Sequence, residues 1–595
     1  MNKNGFDLEL FKKINLRFRE LSVRELEILA QKIRSELVTT QSKNGFLGSC
    51  LGVVDLTIAL NFVFNLKEDL VFWDVGHQTI PQKILQKYID GCYANSNLQG
   101  DVEYTEKETP HYYKRPAQNL SEAIGALIHR DLFKKNYEVI AVIGDRSTSS
   151  GQAFEALNHL GTIASKKIII LNDNSDEDAE CTSAFSHYLQ HQKPTTECFW
   201  QHSLFESLGF NYIGPIDGHN FEDLLKTLMV IKNSKEQTPI ILHIKTKKGK
   251  GYAPAESDQD GLNHISSFDI KTGMPTLKEK KQSGYFACKA LIEAAYNDPS
   301  IVLISLRTPH IHSPFLAFKD LYPDRYFEVG ITESHAMTLT ASLAKNGLKP
   351  YLILYSSFLH RVLDNAIVDI CLKKIPVRII IDHTKFTGHD FVLDARLFDS
   401  SFSSYLPNLV IMSPGCSDDI QKMVDISTKF TGPSIIRLSK TLTEQNLKDS
   451  PLEVGKFRIL KNGERLAILS YGGRLDECLR IADNLNTNGI STTVVDTRFL
   501  KPLDKDSLKT IVNSHQYLIS IEENAMGSLS NHILQYLNQE LSGSTIVYKP
   551  FYISDQNHNF YQSTLDNVLN ERKILNDIIK WIHRKNDDLD FISVA

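Results

Sequence analysis

Two runs of the chain, VIAVIGD (139–145) and KIIILND (167–173), are continuously apolar and β-branched, and the segment between them, QAFEALNHL, has helical character. A strand that is apolar on both faces must be covered on both, so these runs predict a β-α-β unit in a parallel sheet. Runs of the same kind recur at IVLISL (301–306), PYLILYS (350–356), VRIIID (377–382) and LVIMSP (409–414), and again at LAILSYG (466–472), TTVVDTRFL (492–500) and YLISIEEN (517–524). Polar connectors separate the sets, one at 258–282 with Gly261, Gly273 and Pro275, the other at 439–457. The expectation is an α/β chain of three successive parallel-sheet domains, 1–275, 276–455 and 456–595. Ahead of the first strands, a Ser-x-x-Glu capping box and Leu26, Leu29, Ile33 and Leu37 at helical spacing predict an amphipathic helix over 22–38.

At 595 residues with 42% hydrophobic side chains, the chain is long enough for several cores. Its 66 Lys and Arg against 71 Asp and Glu give a net charge of −5, which calls for no nucleic-acid partner. No apolar run reaches the roughly 18 residues of a membrane span, and the N-terminus is charged where a signal peptide is apolar, so the cytoplasm is expected. The eight cysteines form no CxxC pair and read as buried thiols of a reducing compartment.

Open α/β sheets bind ligands at the carboxyl ends of their strands, which directs attention to the residues there. Asp145 follows one strand and Asn174 the next, a carboxylate and an amide oxygen of the kind Mg2+ accepts beside a diphosphate. Taken alone, both residues serve equally well as caps of the following helices. Glu333, in FEVGITESHA (327–336), stands before the helical run AMTLTASLA, where an acidic residue is ordinarily a favourable N-terminal helix charge. The basic run KTKKGKGY (245–252) reads as a solvated turn.

In combination with LGVVDLTIALNFVFN, WDVGHQTIPQKIL, GQAFEALNHLG, KTKKGKGYAPAE, YPDRYFEVGITESHA, KPYLILYSSFLHRVLDN and GPSIIRLSK, these motifs resemble, over almost the whole chain, the thiamine-diphosphate enzymes of the transketolase superfamily. Within it the chain is most similar to the 1-deoxy-D-xylulose-5-phosphate synthases. The resemblance implies three α/β domains of transketolase type in a homodimer: diphosphate-binding, pyrimidine-binding and C-terminal. It implies thiamine diphosphate and Mg2+ as cofactors, with pyruvate and glyceraldehyde 3-phosphate as substrates. By matching position, Asp145, Asn174 and the carbonyl of Asp176 are the implied metal ligands. Glu333 is the implied carboxyl partner of the pyrimidine ring, favouring the tautomer that removes the thiazolium proton. His77 and His264 match histidines near cofactor and substrate; Arg146, Ser147, Tyr252 and Phe358 fall at cofactor positions. Tyr355, Arg361, Asp390 and Lys440 stand where the family binds its phosphorylated acceptor, Lys440 in place of an arginine.

Several positions depart from the family pattern. Phe46 stands for a histidine of GGHFASGLG; KRPAQNLS (114–121) replaces GHSSTSIS and brings Lys114 and Arg115; Arg146 replaces the second glycine of GDG. In the acceptor loop Asp394 stands for a histidine and His383 for an arginine, with His310, His312 and His389 as candidate replacements. The three new cations either compensate for lost backbone contacts to the diphosphate or block it. Three readings are open: a divergent synthase, a thiamine-diphosphate enzyme with altered donor or acceptor, and a weakly active regulatory paralogue.

Overall fold

The amphipathic helix predicted at 22–38 forms over Val23–Gln41, and its capping box closes: Ser22 Oγ accepts from the Glu25 N–H, and the Glu25 carboxylate accepts from the Ser22 N–H at 2.7 Å. Such a cap stabilises a helix by about 1 kcal/mol, and this one turns Leu26, Leu29, Ile33 and Leu37 into the first core. The computed structural model describes residues 8–42, 47–90, 117–174, 183–192, 203–258, 261–263, 267–276, 283–306, 309–382, 398–439, 442–443, 447, 450–553 and 570–592.

The continuously apolar runs become parallel strands covered on both faces. In the first sheet β1 (Leu70–Trp73), β2 (Val139–Gly144), β3 (Ile168–Asp173), β4 (Asn211–Asp217) and β5 (Ile240–Lys245) lie in the order β1-β2-β3-β5-β4, all parallel. Alternate residues go to different cores. Ile140, Val142, Ile168 and Ile170 join the cluster under the opening helix, whereas Ala141, Ile143, Ile169 and Leu171 join a second cluster on the other face. Truncating one of the larger of these to alanine costs about 2–5 kcal/mol.

The second sheet orders β6 (Ile301–Ser305), β7 (Tyr326–Glu328), β8 (Lys349–Tyr355), β9 (Arg378–Asp382), β10 (Val410–Met412), β11 (Ser434–Arg437) and β15 (Phe499–Lys501) as β15-β10-β11-β9-β8-β6-β7. The third orders β12 (Arg458–Lys461), β13 (Leu466–Tyr471), β14 (Thr492–Asp496), β16 (Tyr517–Ala525) and β17 (Val547–Ile553) as β12-β14-β13-β16-β17. Both are parallel apart from the β10–β15 and β12–β14 pairs. The run 492–500, which reads as one strand, is therefore two: Arg498 takes a left-handed φ of 51°, and the residues after it leave the third sheet for the edge of the second. Arg458 of β12 also bridges the two sheets, donating at 2.6 Å to Asp419 beside the second sheet and to Asp496 of the third.

By contact density the chain forms two compact units, Met1–Lys278 with Gly330–Thr332, and Glu279–Val329 with Glu333–Ala595. Among the described residues Cys50, Cys288, Cys371, Cys416 and Cys478 are buried free thiols, and no helix is long and apolar enough to cross a membrane.

Candidate active site

In the first unit, parallel register sets Gly144 of β2 against Asn172 of β3, so Asp145 and Asn174 emerge from neighbouring strands at the same edge of the sheet. Asp145 opens a short helical turn, Asp145–Thr148, closed by a hydrogen bond from Thr148 Oγ1 to the Gly144 carbonyl at 2.8 Å. Burial pushes the Asp145 carboxyl above the usual range, Lys248 and then Arg146 pull it back, and Asp173 opposes them. A buried carboxyl in that state gains from a hard cation, and its neighbour Asn174 is half-buried with an amide oxygen to offer. Asn172 engages Thr246 Oγ1 at 2.6 Å through Oδ1, while its buried Nδ2 has no acceptor in the structure. Among the described residues no group of three or more His, Cys, Asp or Glu is placed to hold a metal. One carboxylate and one amide suit Mg2+ only where a ligand such as diphosphate supplies further oxygens.

Two contributors at this edge carry no strong signal in the sequence. Asp74, just past β1, is buried; its carboxylate accepts from the Ala117 N–H at 2.7 Å and the Gly144 N–H at 3.3 Å, and Ser147 also bonds to it. Burial raises its pKa against those bonds. It thus ties β1, β2 and the Asp145 turn together, and its place in DVGHQ beside His77 was the available clue. The second is Lys248. The run 245–252 is more than a solvated turn, because the Lys247 N–H donates to His219 Nε2 at 2.8 Å and His219 Nδ1 bonds to Asp55 at 2.7 Å. Arg34 completes that cluster through Asp55 and packs against Gly251, where a φ of +83° and an added Cβ only 2.7 Å from Arg34 Cδ leave no room for a side chain. The turn so held keeps Lys248 within electrostatic reach of Asp145.

Tyr252 gives its hydroxyl to the Ile270 carbonyl at 2.9 Å and sets its ring 6.2 Å from that of Phe268. Arg146 is half-buried and Ser147 buried on the Asp145 turn, and His77 lies in the 3-10 helix Gly76–Thr79.

In the second unit Glu333 is the first residue of the helix Glu333–Lys345 and is only 4% exposed. The chain after β8 runs into a 3-10 helix, Ser356–Val362. At about three residues per turn, positions spaced by three eclipse one another, which puts Tyr355, Phe358 and Arg361 in one row. Tyr355 and Phe358 meet edge to face at 5.6 Å, and Arg361 Nη1 donates to Glu333 Oε1 at 2.9 Å. The sequence pattern assigned Arg361 to an acceptor phosphate; the structure pairs it with the carboxylate itself.

The first residue of that 3-10 helix is anchored in buried charge. Ser356 bonds to Asp399, whose carboxyl burial drives upward and Arg437 draws down. Arg437 Nε donates to Asp399 at 2.8 Å and Nη1 to Glu523 of β16, while Asn524 Nδ2 donates to Asp399 at 2.7 Å. Burial works against the charge of Arg437, but Asp399 and Glu523 outweigh it and hold the guanidinium ionised. Breaking such a pair from one side typically costs about 3–5 kcal/mol, since a buried charge is left uncompensated.

Phe46, Lys114, Arg115, Asp176, His264, His383, His389, Asp390, Asp394 and Lys440 lie outside the described residues. His310 and His312 lie on the helix Pro309–Leu321.

Three family models match the chain in order. The model described as 1-deoxy-D-xylulose-5-phosphate synthase matches residues 11–198 and 190–246, the transketolase pyrimidine-binding domain matches 285–445, and the transketolase C-terminal domain matches 455–556. Solved structures similar to the chain include a split-gene transketolase described as an inactive β4 tetramer, 23% identical over 50% of this chain and 99% of that one with a TM-score of 0.43. Transketolase from Campylobacter jejuni is 15% identical over 97% of this chain and 100% of that one, with a TM-score of 0.39. At these scores the assignment rests on the sequence models and on the parallel α/β sheets. Together they make the chain a member of the transketolase superfamily of thiamine-diphosphate enzymes, with an N-terminal part of the 1-deoxy-D-xylulose-5-phosphate synthase kind.

Proposed function

We propose that the chain is a thiamine-diphosphate- and Mg2+-dependent transferase that decarboxylates pyruvate and joins the two-carbon unit to glyceraldehyde 3-phosphate, forming 1-deoxy-D-xylulose 5-phosphate for isoprenoid and thiamine supply. The observation that carries this reading is the buried Glu333 at a helix start beside the Tyr355–Phe358–Arg361 row, within a match to the pyrimidine-binding family. The cofactor, when bound, supplies the electron sink for decarboxylation. Asp145, Asn174 and the carbonyl of Asp176 hold Mg2+ on the diphosphate; Lys248 and Arg146 offset the anionic charge. Phe358 packs on the ring system, Glu333 holds or releases a proton at the pyrimidine nitrogen, and His77 and His264 serve the substrate side. Tyr355, Asp390 and Lys440 take the acceptor.

The domains run 1–275, 276–455 and 456–595, and the enzyme works as a cytoplasmic homodimer. An exposed apolar set on the second unit, with Phe402 and Tyr405 of the helix Asp399–Ser404 and its C-cap, and Met526 beyond β16, is suited to such an interface.

Phe46 and Asp394 replace histidines, and a general acid–base group contributes about 10²–10⁴-fold, so turnover is expected to be at least about 10²-fold below that of an unmodified synthase. A second reading, altered donor or acceptor, is favoured by the engagement of Arg361 with Glu333. Mass spectrometry of products from pyruvate with a panel of aldehyde acceptors tests both. Deoxyxylulose phosphate supports the first, a different acyloin the second, and no product with any acceptor contradicts both.

A further inference from the structure

If the chain binds thiamine diphosphate as proposed above, Glu333 has two claims on it: the cofactor's pyrimidine ring and Arg361. Glu333 is 5% exposed at its side chain and Arg361 14%, so their 2.9 Å contact is shielded from water and weakly screened by salt. The guanidinium takes one oxygen of the Glu333 carboxyl in a charge-assisted hydrogen bond. The proposed partner of Glu333, a pyrimidine ring nitrogen, needs an oxygen of the same carboxyl. Both demands fall on the same group. The 3-10 helix that carries Arg361 is itself held at its start, where Ser356 bonds to buried Asp399.

We propose that Arg361 is a positioning residue that competes with the cofactor's pyrimidine ring for Glu333, so that loading the cofactor requires this ion pair to loosen. Its presence then lowers cofactor affinity while keeping the carboxylate from being left uncompensated in the empty protein. This sets a direction that a merely structural role would not produce. Removing a structural support weakens binding, whereas removing a competitor tightens it.

The test is calorimetric titration of thiamine diphosphate, with Mg2+ present, into the full-length chain and its variants, with melting temperatures recorded alongside. Arg361→Met is expected to bind about tenfold more tightly, in keeping with the loss of one charge-assisted hydrogen bond that the ligand had to displace. Arg361→Lys, which keeps the charge, is expected to stay near wild type. In the Glu333→Gln background, Arg361→Met is expected to change affinity little, because no ion pair remains to be broken. Should Arg361→Met fail to fold, Arg361→Gln, which keeps a donor but no charge, is expected to show the same tightening. Affinity equal to or weaker than wild type in a folded Arg361→Met or Arg361→Gln variant overturns the proposal and leaves the proposed function standing. Absence of binding in wild type and in every Arg361 variant overturns both.

Discussion

The two units of the chain each bury a carboxyl group near the end of a strand, and they treat it in opposite ways. In the first, burial drives the pKa of Asp145 up, and the charges of Lys248 and Arg146 with a backbone bond from Arg146 pull it back. In the second, Glu333 is gripped by Arg361 at 2.9 Å. The difference teaches which charge each carboxyl lacks. Under the proposed function, Asp145 would be completed by a cation from outside, as a metal-bound diphosphate would provide. Glu333 already has its cation, and a ligand there must displace or share it.

The largest expected effect comes from Glu333. Glu333→Gln keeps the shape but loses the transferable proton, so hydrogen–deuterium exchange at the thiazolium carbon, followed by NMR, should slow by about 10²–10⁴-fold while cofactor affinity stays within a few-fold. Undiminished exchange would remove Glu333 from its role. Next, Asp145→Ala should weaken Mg2+-dependent binding of thiamine diphosphate by about a hundredfold or more in calorimetry, metal ligands mattering at least as much as their supporting shell. Asp74→Asn probes that shell: the amide keeps one of the two acceptors and loses the charge, and affinity should fall by about tenfold.

The smallest effect concerns the scaffold of the second unit. Glu522, beside Glu523 on β16, is buried, and burial pushes its carboxyl to about 7 against the bonds from Ser530. Because its folded pKa lies above the ordinary value of 4.5, stability from this group is full below about pH 4.5 and is lost as pH rises through about 7. Glu522→Gln should abolish that component, leaving the variant more stable than wild type at pH 8 in urea titrations and no more stable at pH 4. Equal stability of the two at pH 8 would show that Glu522 is not strained by ionisation.

What the sequence disclosed and what it concealed depend on the range of the interactions involved. The parallel sheets were legible because covering a strand on both faces leaves a continuous apolar run, as in Ile168–Leu171. Asp145 and Asn174 were legible as strand-end residues, since register alone brings them to one edge. The split of 492–500 between two sheets was not, because Arg498 turns the chain in the left-handed region with no glycine to mark it. The roles of Asp74 and Lys248 depend on partners distant in sequence, Ala117 and Gly144 for the one and Asp145 for the other. The motif around Arg361 points to an acceptor phosphate and gives no sign of its contact with Glu333, which depends on the three-residue repeat of a 3-10 helix that local sequence does not announce.

The central claim, that this is a thiamine-diphosphate protein whose Asp145 edge is completed by a metal, is tested most directly by titrating the cofactor into the wild-type chain with Mg2+ and again with the metal chelated. The expected result is saturable binding of about one cofactor per chain with Mg2+ and its loss on chelation. Binding of equal strength without metal would contradict the reading of Asp145 and Asn174, and no binding under either condition would contradict the function.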